Sequence, residues 1–552
     1  MALVTLPEST ASTRWRFTAG RVAVGLALLG LGYRLAMLLA EVPPSNSDEA
    51  VTGLVAVHVA QGRAFPLFFY GQYYMGALES YLAAPLLALL GSSTFLLRLP
   101  NLLLYAAFLA LMWRLTRRLY TPWLATFTVG LLALGSDRIL KNQLIAAGGY
   151  PEMNPAGALL VLLAVNLGLG AVRRTGPAYA GFGLVAGLTL WDDWLVLPYV
   201  GVAGGLLLAA RWRQLTGRPR LALGAGLLVG LVPIVVHNLT AAPEHRSLAV
   251  YAALGGGAPA SWPDRLGGAI LLGLPMGTGL CDPGRCAPWQ RSWGVVLPLL
   301  LVAAVVLAGR GLLRADQRAE RIRQGGRLAL AVGAALTLSL YASSSAAANT
   351  PVESARYLSC LLISTPALLW PLWSALTRPG DAGVPVPARR LVRRAAAVPL
   401  VALAGTMALA SVALVGASPG LSRQAEQRRE LVTALDRLGV RHFYAEYWTC
   451  NNIIFLTRER IVCGVIRNDL SVGWDRYPAY PEQVAGASRP AFVLPVGSGL
   501  SAAVRDRLAG VDPPHVALTT AGYDIYLPAD RVDLPRRPAS AGGGPAVPGG
   551  PG

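Results

Sequence analysis

The sequence predicts an all-α polytopic membrane bundle of about 11 transmembrane helices, followed by a small C-terminal α/β domain. Three observations carry that prediction. Of 552 residues, 54% are hydrophobic and only 14% charged, whereas a soluble domain carries about 25% charge. Apolar runs long enough to cross a bilayer, roughly 17–25 residues, recur from Val22 to Val415. From Pro419 onward the composition becomes that of an ordinary soluble domain.

The expected spans are residues 22–40, 95–113, 121–134, 155–172, 177–191, 195–210, 221–236, 293–308, 328–347, 357–376 and 395–415. Arginines cluster between them: Arg114, Arg117 and Arg118; Arg173 and Arg174; Arg211, Arg213, Arg218 and Arg220; then 310–327 and 389–394. Loops that stay in the cytoplasm keep such positive charge. Arg14, Arg16 and Arg21 precede the first run, which lacks a small-x-small cleavage site and reads as a retained helix. This places the N-terminus in the cytoplasm and, with an odd number of spans, the C-terminal domain outside the cell membrane. The formal net charge of +19 then reflects topology. Nucleic acid is excluded as a partner, because no aromatic-and-basic stripe accompanies the charge.

The outer loops are 41–94, 136–154, 237–292 and 348–356. In the first, 50–61 and 79–90 read as apolar helices flanking Phe65, Phe68, Phe69, Tyr70, Tyr73 and Tyr74. Aromatic residues favour the membrane–water boundary, so this loop is expected to lie there as interfacial helices. Gly181-Phe182-Gly183 and Gly224-Ala225-Gly226 echo a dinucleotide fingerprint, but they lie inside spans with no strand before them. They read as close helix packing by small residues. No transporter-type internal repeat is visible. In the tail, 422–438 reads as an amphipathic helix, 442–445, 460–466, 491–496 and 523–527 as strands, and 448–456 and 500–508 as helices. The domains are therefore 1–416 in the membrane, 417–530 outside, and a Pro/Gly-rich 531–552, with disorder expected from 535 onward. Cys281 with Cys286, and Cys450 with Cys463, would face an oxidising compartment and pair, leaving Cys360 free in a span.

Asp48-Glu49 follows the first span directly. Acids so near the hydrocarbon are costly unless solvated or used. They also suit a helix start, with Ser47 or Asp48 as cap. Three other groups have plainer readings. Trp191-Asp192-Asp193-Trp194 reads as a solvated turn with aromatic anchors, Arg34 as snorkelling to the outer interface, and His237-Asn238 as a structural cap. The histidines lack metal-ligand spacing. The acids leave room for a divalent metal ion, and no other cofactor is expected.

Several motifs together resemble a family. Asp48-Glu49-Ala50, Gly71-Gln72-Tyr73-Tyr74-Met75-Gly76-Ala77-Leu78-Glu79 and Leu97-Arg98-Leu99-Pro100 resemble the first outer loop of GT-C superfamily glycosyltransferases. These include protein O-mannosyltransferase-like and aminoarabinose-transferase-like membrane enzymes. Gly148-Gly149-Tyr150-Pro151-Glu152 resembles their second outer loop, and Ala355-Arg356-Tyr357-Leu358 the entry to a late span. Tyr444-Ala445-Glu446-Tyr447-Trp448 resembles a motif in the soluble tail of bacterial members. The likeness is close over residues 1–200 and loose in the middle.

The resemblance implies transfer of a sugar from a polyprenyl-phosphate donor to a glycan, lipid or protein hydroxyl on the outer face of the membrane. It implies Asp48 as the base, with Glu49 and Glu152 assisting proton transfer, orienting the acceptor or binding a metal. Gln72, Tyr73, Glu79 and Tyr150 lie in its motifs and would bind substrate. Lys141, Arg138 and Arg356 lie on the outer side, where a departing lipid phosphate needs cations. A single inverting displacement is the family expectation. The alternatives are a transporter or flippase for a lipid-linked or amphipathic substrate, and an envelope scaffold to which Asp48 would be dispensable.

Overall fold

The computed structural model describes residues 11–254, 258–282, 284–377, 386–509, 515–532 and 534. The tract at 535–552, where disorder is expected, lies outside them. Every apolar run becomes helix. Among the described residues nine helices are long and apolar enough to cross a membrane, or ten if one bent pair counts as a span. About eleven were expected, and the count turns on one helix and one bend. The run at 177–191 is α8 (Thr175–Asp192), whose glycines, threonines and final aspartate dilute its apolar character.

That same helix is held by its glycines. It runs beside the helix Gly217–Thr240 so closely that a Cβ on Gly183 would meet the Leu223 carbonyl oxygen at 2.1 Å. A Cβ on Gly226 would meet that of Ala180 at 2.0 Å. The two glycine triplets are thus helix-packing sites, as small residues in membrane helices commonly are.

The run at 121–134 is the bent one. Helix α5 (Pro122–Ala133) turns by 92° into α6 (Asp137–Leu144). Arg34, on α1 (Ala11–Leu39), explains how the break survives in the membrane. Its guanidinium donates to the carbonyls of Leu132 (3.3 Å), Ala133 (2.8 Å) and Leu134 (3.1 Å), which the break leaves without helical partners. It also donates to Gln143 on α6 at 2.8 Å and lies 3.8 Å from the centre of the Tyr105 ring. Arg34 is fully buried, which corrects the snorkelling expectation. Backbone groups at membrane depth must find protein partners, and this arginine supplies them.

The tail is joined to the bundle by one helix. Val386–Arg437 runs 52 residues through Pro419, so the amphipathic segment expected at 422–438 is its continuation. The sheet that follows has the order β2-β1-β3-β5-β4, with β1 (His442–Ala445), β2 (Val462–Val465), β3 (Ala491–Pro495), β4 (Val516–Thr520) and β5 (Tyr523–Leu527). Strands β1, β2 and β3 are mutually parallel, and β5 and β4 are antiparallel additions. The edge strand β4 and the helix Ala479–Gly486 were not expected; β4 is exposed along most of its length and shows little apolar alternation. Cys281–Cys286 and Cys450–Cys463 are both bonded, with Cα separations of 5.0 and 5.2 Å, and Cys360 is buried and free.

The first outer loop departs from the interfacial expectation. Its helix α2 (Ser47–Ala60) is buried beneath the tail, whereas α3 (Leu78–Leu90) leaves Leu82, Leu89 and Leu90 exposed. One hydrophobic core joins Leu54 and Val57 of α2 and Leu87 of α3 to Leu431, Phe443, Ile453 and Phe455 of the tail. A Cβ on Gly53 would sit 2.5 Å from the Phe455 ring. The tail and the first loop therefore fold against each other as one packed unit.

Candidate functional site

The site starts at the head of α2. Asn46 is the N-cap, accepting the Glu49 amide at 2.9 Å, which frees the side chains of Ser47 and Asp48 from the capping expected of them. Ser47 instead donates to the Tyr447 carbonyl at 2.6 Å. Asp48 turns to the tail: its Oδ1 accepts from the Tyr447 hydroxyl at 2.5 Å and from Arg476 Nη2 and Nε at 2.8 and 3.2 Å. The Asp48 side chain keeps 22% of its surface exposed.

Glu49 points the other way. Both of its oxygens are held at 2.6 Å by Arg98 on α4 (Thr94–Leu119), and Oε1 also accepts the Ala146 amide. Glu49 is fully buried, so it ties the first loop, α4 and the second outer loop together instead of facing a substrate. Glu79 makes a similar link. Its Oε2 accepts the amides of Gly148 and Gly149 at 2.7 and 3.4 Å. Both glycines have φ near +90°, a left-handed backbone that favours glycine. Burial pushes the Glu79 carboxyl up to about 8 despite these donors.

Beyond that turn, α7 (Tyr150–Leu169) presents Tyr150 and Glu152. Glu152 is buried, and neither of its carboxylate oxygens has a hydrogen-bond partner. Arg356 lies 5.6 Å from the centre of the Tyr150 ring and 5.5 Å from that of Tyr357, with Nε unpartnered. Arg138 donates to the Val352 carbonyl at 2.8 Å, and its Nε is likewise unpartnered. Lys141, one turn along α6, pairs with Asp137 at 2.9 Å. Tyr150, Arg356 and Tyr357 thus form one group of neighbours.

Gln72 and Tyr73 are placed differently. Gln72 shapes a turn, its carbonyl accepting the amides of Tyr74 and Met75. Tyr73 stacks on His237 at 5.0 Å. Asn238 bonds Ser247 in both directions, as a structural cap would. Asp192 and Asp193 are buried, which corrects their reading as a solvated turn. The cause is the first loop folding over them: Gly76 donates to the Asp192 carbonyl at 2.8 Å, and Trp191 donates to that of Leu67. Burial pushes the Asp193 carboxyl up to about 7.

Sequence reasoning missed Arg476. Nothing in its neighbourhood marks it, and its partner lies 428 positions away. Tyr447 was legible only as part of a tail motif. For a metal, no three His, Cys, Asp or Glu side chains converge suitably among the described residues. Arg476 already occupies one oxygen of Asp48.

No protein-family profile and no curated protein matches the chain. Solved structures do. ArnT from Cupriavidus metallidurans bound to undecaprenyl phosphate aligns with a TM-score of 0.58 at 14% identity, covering 93% of this chain and 98% of that one. Its apo state aligns with a TM-score of 0.56 at 14% identity, covering 94% and 98%. The match takes in both the bundle and the tail. The chain therefore has the fold of ArnT.

Proposed function

We propose that the protein is a membrane glycosyltransferase that moves a sugar from a polyprenyl-phosphate donor to a hydroxyl acceptor on the outer face of the membrane. The observations that carry this reading are the partly exposed carboxylate of Asp48 and two arginines expected on the same outer side, Arg356 and Arg138, each with an unpartnered Nε. The undecaprenyl phosphate bound by ArnT supports a lipid phosphate as the group these arginines meet. Arginine suits phosphate because its donors match the oxygens in pairs.

The chemistry follows from that pairing. The acceptor O–H gives its proton to Asp48, and the acceptor oxygen bonds to the anomeric carbon. The bond from that carbon to the phosphate oxygen breaks, and its electron pair leaves on the polyprenyl phosphate. Arg356 and Arg138 balance the charge that develops there. Glu152, with two free acceptor oxygens, offers partners to sugar hydroxyls. Glu49 and Glu79 hold the loops in place, and Lys141 adds positive charge beside Arg138.

This reading puts the N-terminus in the cytoplasm and the tail outside. A cysteine introduced on the exposed tail face should react with an impermeant thiol reagent in intact cells, and protection would overturn the orientation. The activity itself is tested with purified protein in proteoliposomes. Radiolabelled polyprenyl-phosphate sugars and envelope extract are supplied, and label should move from the lipid to an acceptor. Label that crosses the bilayer still attached to its lipid would favour a flippase.

A further inference from the structure

The tail sheet meets the membrane domain at a particular edge. In the order β2-β1-β3, the chain leaves β1 on one side and returns to β3 on the other, which makes β1 a topological switch point. Parallel sheets place functional groups outside the carboxyl ends of strands at such points. Tyr447 follows the carboxyl end of β1, and Arg476 lies in the segment after β2. Both reach Asp48.

Arg476 is strongly placed. Its side chain is 1% exposed, and its guanidinium lies 4.4 Å from the centre of the Phe69 ring and 4.7 Å from that of Trp474. Nη1 donates to the Tyr70 carbonyl at 3.2 Å, Nη2 donates to Asp48 Oδ1 at 2.8 Å, and Nε is shared between the Tyr447 hydroxyl at 2.6 Å and Asp48 Oδ1 at 3.2 Å. Three donors thus converge on one carboxylate oxygen. No hydrogen bond of the described residues engages Oδ2. A carboxylate pinned through one oxygen presents the other in a fixed direction.

We infer that Arg476 is a positioning residue for Asp48: the tail domain completes the active site by anchoring Oδ1 and leaving Oδ2 to receive the acceptor proton. The inference rests on Asp48 being the base. It gives the tail a part in the chemistry beyond capping the bundle or choosing an acceptor. The aromatic walls shield the guanidinium from water, and the bond to Tyr70 fixes the arginine to the same loop that carries the base.

The test compares Arg476→Ala, Arg476→Lys, Asp48→Asn and Arg63→Ala in full-length protein, with donor KM, kcat and thermal stability measured for each. Arg63 pairs with Glu459 elsewhere on the tail–loop contact, so its loss weakens docking without touching Asp48. Misplacing a reacting group by about 1 Å costs on the order of 10²-fold in rate. Arg476→Ala should lose kcat on that scale with donor KM little changed, added guanidinium ion should restore part of it, and Arg476→Lys should fall between. Combined with Asp48→Asn, it should be no slower than Asp48→Asn alone. Wild-type kcat in Arg476→Ala would overturn the inference. So would a loss matched by Arg63→Ala and untouched by guanidinium, which marks docking alone. Near-normal transfer by Asp48→Asn would instead overturn the base assignment beneath it.

Discussion

Glu49 and Arg98 form a bidentate ion pair, both contacts at 2.6 Å, with neither side chain more than 1% exposed. Adjacent acids thus play opposite parts, Glu49 holding the loop while Asp48 faces the site. Removing one partner of a buried pair strands the other charge, at a cost of about 3–5 kcal/mol. Glu49→Gln should lower the melting temperature in detergent sharply, while the protein that remains folded turns over at a near-normal rate. Wild-type stability with a large loss of kcat would return Glu49 to the chemistry.

Arg34 should be needed for the break between α5 and α6. Arg34→Met keeps an apolar stem but removes the donors to Leu132, Ala133 and Leu134. A backbone group left unsatisfied in the membrane costs several kcal/mol. The variant should melt earlier, and hydrogen exchange should quicken around 135–145. Unchanged exchange there would show that the break holds itself.

The tail–loop contact carries a pH dependence through Glu459. Burial opposes its ionisation, but hydrogen bonds from His58, Arg63 and Tyr480 outweigh burial and hold the carboxyl down at about 2, from an ordinary 4.5. A carboxyl held lower in the folded state stabilises it above the ordinary value, and that stability is lost as pH falls through the folded one. Wild type should therefore melt above Glu459→Gln at neutral pH, and the gap should close between about pH 4.5 and about 2. A constant gap would mean that the carboxylate charge contributes nothing.

Much of this architecture is legible in the chain itself. Span positions follow from apolar length, and the tail strands from short β-branched and aromatic runs. The glycine triplets announce close packing because no strand precedes them. What is not legible depends on contacts distant in sequence. Arg98 stands within a motif of the first outer loop, yet its partner is 49 positions away, and local pattern does not pair them. Arg34 looks like a lipid-facing arginine because the break it fills lies about 100 positions on. Asp192 and Asp193 look solvated because the loop that buries them comes much earlier in the chain. The site itself is half legible: Tyr150 and Arg356 do come together, while Arg476 carries no signal of its own.

The central claim is that Asp48 takes the acceptor's proton, and its most direct test is the transfer rate of Asp48→Asn in proteoliposomes. Asn can still accept from Tyr447 and Arg476, so the shape of the contact is kept while charge and basicity are lost. The buried Arg476 then lacks its counterion, so rates should be compared at a temperature where melting curves show the variant folded. Loss of a general base costs about 10²–10⁴-fold. A kcat reduced by that factor in folded protein is the predicted result, and transfer within a few-fold of wild type would contradict it.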